Sequence, residues 1–202
     1  MNHSEKNSDL HGNVPDSCSA ALILLDVITD FDFPGGDQLL EQALPLAPRL
    51  RKLAERARQA GIPVLYVNDN FGRWQSDFAG LVQRCLSPES SGRSFVEPLR
   101  PGDKDYFILK PKHSGFFGTT LEVLLKYLQA RSLIIAGLTG NMCVQFTATD
   151  AYLRDFHLFV PADCTASLTK DANDQAIKYM GEVLKADVRP SEELDLQQII
   201  NM

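Results

Sequence analysis

The feature that most constrains the fold is a series of short runs that are apolar at nearly every position. The first is AALILLDV, residues 20–27, and four more follow along the chain: IPVLYVND (62–69), YFILK (106–110), SLIIAGL (132–138) and HLFVPAD (157–163). Strands with this continuous apolar pattern are typical of parallel sheets, in which both faces of the sheet are covered. Each run is therefore predicted to be a buried parallel strand.

Segments with helical periodicity separate these strands. The longest, residues 44–61, places leucines and alanines on one face, has prolines near its beginning and ends at Gly61. Other helices are predicted over residues 79–85, 118–130, 143–155 and 173–186, and the tail after residue 187 is predicted to add a short strand and helix. Residues 87–105, rich in Pro, Gly and Ser, are predicted to be irregular. Strands that alternate with helices predict a doubly wound, Rossmann-like parallel sheet in a three-layer α/β/α sandwich.

Composition limits the classes of function. The 202 residues are 44% hydrophobic and carry a net charge of −6, which suits one globular domain, predicted over residues 19–202, after a disordered tail of residues 1–18. The acidic balance argues against a nucleic-acid partner. No apolar run approaches the ~20 residues of a membrane helix, and the polar N-terminus has no signal-peptide core. We therefore expect a cytoplasmic protein without a membrane partner.

Three strand ends carry residues that suit chemistry. Asp26 follows the first strand, Lys110 ends the third, and Cys143 comes shortly after the fourth. Because ligands bind outside the carboxyl ends of parallel strands, we expect the three side chains to converge at one edge of the sheet. Cys143 is predicted at a helix N-terminus, which favours a thiolate, so the sequence predicts a pKa below the free-thiol value of ~8.5. Asp26 would oppose that shift.

The other cysteines give weaker signals. Cys18, Cys85 and Cys164 are scattered, without the CxxC spacing of a zinc site, and a cytosolic setting disfavours disulfides. Cys164 also follows a strand, but it has no helix start beside it, and a structural role is favoured. We therefore expect iodoacetamide to alkylate Cys143 before the other three.

Three segments together resemble the isochorismatase-like cysteine hydrolases, the superfamily that includes nicotinamidases and N-carbamoylsarcosine amidases. LLDVITDF resembles the first-strand motif, LKPKHSGFFGTTL the lysine segment, and GLTGNMCVQFTATDAY the nucleophile segment. The resemblance extends from about residue 20 to about residue 186. It implies that Cys143 is the nucleophile, that Asp26 takes its proton and returns it to the leaving group, and that Lys110 stabilises the thiolate.

The resemblance also implies a cis peptide bond between Leu138 and Thr139, with the N–H groups of Thr139 and Cys143 forming an oxyanion hole. Ile28 replaces the usual glutamine of the first motif, and Gly140 replaces a common threonine. The side chains expected to line the substrate pocket are Ile28, Phe31, Asn70, Phe71, Trp74 and Phe116. Nicotinamidases have an Asp-x-His metal site after the second strand, whereas VNDNFGRW contains no histidine here. We therefore expect no metal, no cofactor and a substrate other than nicotinamide.

Several polar residues near these motifs could have either a structural or a functional role. Lys112 is a rival to Lys110, but it lies past Pro111 and is expected in a solvated loop. His113 could contact the substrate, although a surface or loop-anchoring role is somewhat favoured. Asp69 and Asn70 close the second strand, where they could cap the loop or contact the substrate. No histidine is a convincing base for a Cys–His pair, so Asp26 is the expected proton acceptor.

The sequence therefore predicts a hydrolase that cleaves a C–N bond of a small amide, ureido or carbamoyl compound through an acyl-thioenzyme. One alternative keeps the fold but cleaves a vinyl ether by acid catalysis from Asp26, without using the cysteine. A second alternative is a non-enzymatic binding protein on the same scaffold. Relatives are commonly homo-oligomers, and we expect the same assembly here.

Overall fold

A computed structural model of the chain describes residues 17–70 and 77–202. Its strands are β1 (Ala20–Leu25), β2 (Val64–Asp69), β3 (Tyr106–Lys110), β4 (Ser132–Leu138), β5 (His157–Phe159) and β6 (Thr165–Ala166). Its α-helices are α1 (Gly36–Ala43), α2 (Ala47–Gln59), α3 (Phe78–Cys85), α4 (Arg93–Val96), α5 (Leu121–Leu128), α6 (Gln145–Tyr152), α7 (Lys170–Glu182) and α8 (Leu196–Ile200). No helix within these described ranges is both long and apolar enough to cross a membrane.

In the described part of the chain, the six strands form one parallel sheet in the order β3-β2-β1-β4-β5, and β6 pairs with the end of β4. The chain adds β2 and β3 on one side of β1, then returns and adds β4 and β5 on the other. The winding therefore reverses between β1 and β4, and crevices for ligands form at the carboxyl ends of strands at such a reversal. The predicted doubly wound parallel sheet is confirmed.

Helices cover both faces of the sheet. Alternate residues of β1 point to opposite faces: Leu22 and Leu24 pack with the helices α1–α4 and α8, whereas Ile23 and Leu25 pack with α5, α6 and α7. The predicted three-layer α/β/α sandwich is therefore confirmed. In α2 the apolar residues recur at helical spacing and all are buried: Leu50, Leu53, Ala54 and Ala57. Burying one leucine contributes roughly 1.5–3 kcal/mol, so this face fixes the helix against the sheet.

Local differences from the sequence prediction have physical reasons. Helix α1 was not predicted because it begins after Gly35 without a side-chain cap. Strand β5 is only three residues long because the next residue, Val160, donates its N–H to the carbonyl of Asp187. The tail adds that contact and a single bridge between Phe159 and Asp187 instead of a strand. The segment predicted to be irregular contains the short helix α4.

Candidate active site

The carboxyl edge of the sheet brings Asp26, Lys110 and Cys143 into direct contact. The Lys110 ammonium nitrogen lies 2.9 Å from Oδ2 of Asp26 and 3.3 Å from the sulfur of Cys143. The lysine side chain is completely buried, and Cys143 is 9% exposed. One cation therefore bridges a carboxylate and a thiol, and the thiol keeps a narrow opening to solvent.

Topology explains why these residues meet. Asp26 follows β1 and Cys143 follows β4, which are the neighbouring strands at which the winding reverses. Lys110 ends β3, two strands away, and its long side chain reaches past β2 to the other two residues. The site therefore uses both halves of the sheet.

The backbone at the end of β1 turns sharply and is held by its neighbours. Asp26 has a φ of 50°, in the left-handed region that aspartate tolerates better than most residues. Its N–H donates to the carbonyl of Val67, and its Oδ1 accepts a 2.6 Å hydrogen bond from the N–H of Asp69. On the adjacent strand, Gly137 has a φ of 119°, and a Cβ there would lie 2.1 Å from the Leu25 carbonyl oxygen. The close approach of these strands therefore requires glycine.

The nucleophile lies in a π-helical turn, Gly140–Val144, which connects β4 to α6. The N–H groups of Met142 and Val144 both donate to the Thr139 carbonyl at 3.1 Å, and the bond between Leu138 and Thr139 is cis. The predicted position at the first turn of an α-helix is thus wrong in detail, because α6 begins two residues later. π-Helical turns are local irregularities that often occur at functional sites, and apolar periodicity does not reveal them.

Side chains from β6 and α7 fix the start of this turn. The Asn141 N–H donates to the hydroxyl of Ser167 at 3.1 Å, and that hydroxyl donates to Oδ1 of Asn173. The Asn173 amide in turn donates to Thr165. A Cβ at position 140 would lie 2.1 Å from Asn173 Oδ1, which explains why glycine, rather than the common threonine, stands there.

Burial, together with the Asp26 carboxylate, keeps the thiol protonated at rest. Burial raises the pKa of Cys143, Asp26 raises it further, and Lys110 only partly opposes them, so the pKa is about 12. Burial lowers the pKa of Lys110, but Asp26, the sulfur and Asp69 outweigh that effect and raise it to about 12. The predicted pKa below ~8.5 for Cys143 is therefore wrong. Spacing along the sequence reveals a helix start but not the burial of the side chain.

Two further residues lie at the site. Oδ2 of Asp69 is 3.6 Å from the Lys110 nitrogen, so the buried ammonium faces two carboxylates. Nδ1 of His113 is 3.8 Å from the Cys143 sulfur, and its ring packs against Phe146 with centroids 5.5 Å apart. The sequence left both residues with alternative roles. Asp69 carried the same signal as Asp26, an acid at a strand end, whereas only the fold shows that His113 reaches the sulfur.

The expected pocket residues lie in several environments. Asn70 is buried beside the site, and its N–H donates to the Lys110 carbonyl at 3.0 Å. Ile28 and Phe31 belong to the core under α1–α4, where the Phe31 ring packs edge-on against Phe95. Phe116 belongs to the opposite core, with the Arg154 guanidinium 4.7 Å from its ring. Phe71 and Trp74 lie outside the described residues.

These positions modify the predicted pocket. The side chains of Ile28, Phe31 and Phe116 are packed into the core, which supports a structural role for each of them. Lys112 is exposed, as expected, and Cys164 is buried. Across residues 17–70 and 77–202, no group of three or more His, Cys, Asp or Glu side chains is placed to hold a metal ion.

Comparison with known proteins places this geometry in context. The family model described as the isochorismatase domain matches residues 20–190. The uncharacterized isochorismatase family protein YaaI of Bacillus subtilis is 40% identical over 174 residues, which are 86% of this chain and 95% of YaaI. Ureidoacrylate amidohydrolase RutB of Methylobacterium radiotolerans is 28% identical over 74% of this chain and 68% of its own length.

Solved structures have the same fold. N-carbamoylsarcosine amidase from Thermoplasma acidophilum superposes with a TM-score of 0.65 and 26% identity, over 88% of this chain and 99% of that one. The nicotinamidase PncA from Bacillus subtilis superposes with a TM-score of 0.66 at 24% identity, over 85% of this chain and 99% of its own, a likeness of fold.

Proposed function

The chain belongs to the isochorismatase family of hydrolases, and we propose that it cleaves a C–N bond of a small amide, ureido or carbamoyl compound through an acyl-thioenzyme on Cys143. RutB and N-carbamoylsarcosine amidase are named for substrates with such bonds, which supports this class. The observation that carries the proposal is the single buried ammonium of Lys110, which contacts the Asp26 carboxylate and the Cys143 sulfur at once.

That arrangement supplies a base and a stabilised nucleophile. With a pKa of about 12, the Cys143 thiol is protonated at neutral pH and cannot attack before it loses its proton. Asp26 hydrogen-bonds the thiol and is the acceptor within reach, so the proton moves to Asp26 as the sulfur attacks the carbonyl carbon. The Lys110 ammonium then faces a thiolate at 3.3 Å and stabilises the charge that develops there.

The remaining steps return the proton. The carbonyl oxygen becomes an oxyanion, which we propose is bound by the N–H groups of Thr139 and Cys143. The C–N bond breaks as Asp26 protonates the leaving nitrogen, and ammonia or an amine departs from the thioester. Water then attacks the thioester carbon, Asp26 takes a proton from that water, and the sulfur leaves and regains the proton. The products are an acid and an amine or ammonia.

A panel of small amides and ureido acids, assayed for released ammonia, tests this proposal. We expect turnover by the wild type and loss of turnover in Cys143→Ala, with a mass increase on Cys143 in a slowly turning-over sample. Near-normal activity of Cys143→Ala on the true substrate would exclude the thioester. Acid catalysis from Asp26 on a vinyl ether would then be the leading account.

The partners are part of the proposal. We propose that the substrate is a small molecule and that the working form is a homo-oligomer, for which sedimentation velocity is the direct measurement. A monomer that retains full activity would show that the catalytic site is complete within one chain.

A further inference from the structure

We propose that His113 selects ureido compounds over plain carboxamides by accepting a hydrogen bond, at Nδ1, from the nitrogen that stays attached to the reacting carbon. This inference rests on the proposed function, because it concerns the substrate that is attacked by Cys143. It assigns a specificity role to a residue that takes no part in the proton transfers between Asp26, Lys110 and the sulfur.

The contacts of the Cys143 sulfur divide into an inner and an outer side. Lys110 and Asp26 contact the sulfur from within the protein, and Lys110 is completely buried. His113 is exposed and approaches the same sulfur with Nδ1 at 3.8 Å. That separation is longer than the ordinary hydrogen bond of about 3 Å. A substituent on a carbon bonded to the sulfur, on the outer side, would come within hydrogen-bond distance of Nδ1.

One ring contact holds the imidazole, and two hydrogen bonds hold the loop that carries it. Its ring packs against Phe146 of α6 at 5.5 Å. The next residue, Ser114, is buried and donates its hydroxyl to Asp150, and the N–H of Gly115 donates to Thr147 Oγ1 at 2.9 Å. Both acceptors belong to α6, the helix that follows the nucleophile turn. The His113 loop is therefore attached to the helix that directly follows the turn of Cys143. A residue held in a fixed position loses less freedom when it binds a substrate, so it can discriminate between substrates better than a mobile one.

Substrate chemistry explains what Nδ1 can distinguish. In a ureido compound the carbonyl carbon bears two nitrogens. When ammonia leaves with a proton from Asp26, the acyl group on the sulfur keeps the second nitrogen and its N–H. With its own proton on Nε2, His113 accepts from that N–H at Nδ1. Water attack then gives a carbamic acid, which loses carbon dioxide. In a carboxamide the retained atom is carbon, which offers no comparable donor.

A series of three compounds with the same carboxylate tests the inference. N-carbamoylglycine retains an N–H next to the reacting carbon, N-carbamoylsarcosine has a methyl group in place of that hydrogen, and succinamic acid has a CH2 in place of the nitrogen. The readout is the ratio of kcat/KM for N-carbamoylglycine to that for each other compound. A ratio removes effects that a variant exerts on all substrates equally, including partial misfolding.

We expect His113→Phe, which keeps an aromatic ring against Phe146, to lower both ratios about tenfold relative to the wild type, as expected for the loss of one hydrogen bond. His113→Asn places an amide oxygen near the position of Nδ1 and should recover much of the ratio. Unchanged ratios in His113→Phe, or wild-type activity confined to compounds without the N–H, would overturn the assignment. Failure of the thioester mechanism gives a different result, since Cys143→Ala would then retain activity on all the compounds that the wild type hydrolyses.

Discussion

Cys143 and Cys164 have similar surroundings, but the structure supports a role as nucleophile for Cys143 alone of the two. Each thiol lies near an aspartate, and burial is the main cause that raises the pKa of each to about 12. Cys143 has a lysine ammonium 3.3 Å from its sulfur and is 9% exposed, whereas Cys164 is completely buried. Next to Cys164, both oxygens of Asp163 accept hydrogen bonds from Ser191, one from its N–H at 2.7 Å and one from its hydroxyl at 2.9 Å.

The difference shows what a reactive cysteine needs beyond a neighbouring acid. Both thiols are protonated at neutral pH, so the free thiolate is scarce at each position. At Cys143 an ammonium lies 3.3 Å from the sulfur on which the thiolate charge would form, whereas Arg49 has only a minor influence on the pKa of Cys164. The Cys143 sulfur is also the one of the two that a substrate can approach. Asp163 is occupied in holding the Ser191–Glu193 turn, so Cys164 acts as a small core residue.

The largest effect should separate the two cysteines in activity. We expect Cys143→Ala to lose at least about 10³-fold in kcat on any substrate that the wild type hydrolyses, because the nucleophile is removed. Cys164→Ala should keep kcat/KM within about twofold but lose roughly 1–2 kcal/mol in the free energy of unfolding, because it leaves a small cavity in the core. Ammonia release and urea denaturation measure the two quantities.

The matched pair contains its own control, since each variant removes one sulfur atom and nothing else. If Cys164→Ala lost activity as severely as Cys143→Ala while remaining folded, the division into a reactive and a structural cysteine would be wrong.

The charges around Cys143 should control its reactivity in opposite directions. We expect Lys110→Met and Asp26→Asn each to reduce turnover by about 10²-fold or more. Lys110 lowers the pKa of the thiol and Asp26 raises it, so alkylation by iodoacetamide at pH 8 should become slower in Lys110→Met and several-fold faster in Asp26→Asn. Mass spectrometry of labelled Cys143 against pH measures both rates, and Cys164 in the same sample is the internal control.

A slower alkylation in both variants would show that Asp26 acts as the base in this reaction as well, instead of only raising the thiol pKa. Asp26 would then still be the base, and Lys110 the stabilising cation, during turnover. The explanation that Asp26 makes the thiol of the free enzyme less reactive would be wrong.

Residues at strand ends explain how much of the site could be predicted. The continuous apolar runs fixed the identity of the strands, and the parallel sheet then required Asp26, Lys110 and Cys143 to share one edge. Those steps depend on local pattern and on topology, both of which the sequence carries. The fold class and the convergence of the three side chains therefore followed from residues 20–27, 106–110 and 132–143.

The parts that could not be predicted depend on packing across the fold. Burial of Cys143 comes from elements distant in the sequence, so the expected direction of its pKa was wrong. His113 reaches the sulfur from the loop after β3, which a hydrogen bond holds to α6, and the sequence does not reveal that contact. Phe31 and Phe116 carry the same apolar signal whether they line a pocket or fill a core, and the structure places both in the core.

At alkaline pH, Cys143 and Cys164 should each lower the free energy of unfolding of the protein by a similar amount. Each thiol ionises near pH 8.5 in the unfolded chain but near pH 12 in the folded one, so this stabilisation is complete below about pH 8.5 and is lost as the pH rises towards 12. At pH 10 the loss should be about 2 kcal/mol for each thiol. Urea denaturation at pH 7.5 and pH 10 should show Cys143→Ala and Cys164→Ala losing less stability than the wild type, by similar amounts. A pH dependence altered by only one of the variants would contradict the shared effect of burial.

The smallest expected effects distinguish two serines that bind aspartates beside the two cysteines. Ser114 donates to Asp150 and accepts from the Phe116 N–H at 3.1 Å, which fixes the loop that carries His113. Ser191 donates to Asp163 near Cys164. We expect each alanine variant to lose about 1 kcal/mol of unfolding free energy, the usual cost of one hydrogen bond.

Only Ser114→Ala should also change catalysis, because a looser loop moves His113 relative to the sulfur. We expect a three- to tenfold lower kcat/KM for a ureido substrate in Ser114→Ala, as expected when a contact outside the reacting atoms is misplaced by a fraction of an ångström. Ser191→Ala should show wild-type kinetics, since its aspartate holds only a turn. Equal kinetic losses in the two variants would mean that activity follows overall stability. A loss confined to Ser114→Ala would instead show that the hydrogen bonds of the loop after β3 position His113 beside the Cys143 sulfur.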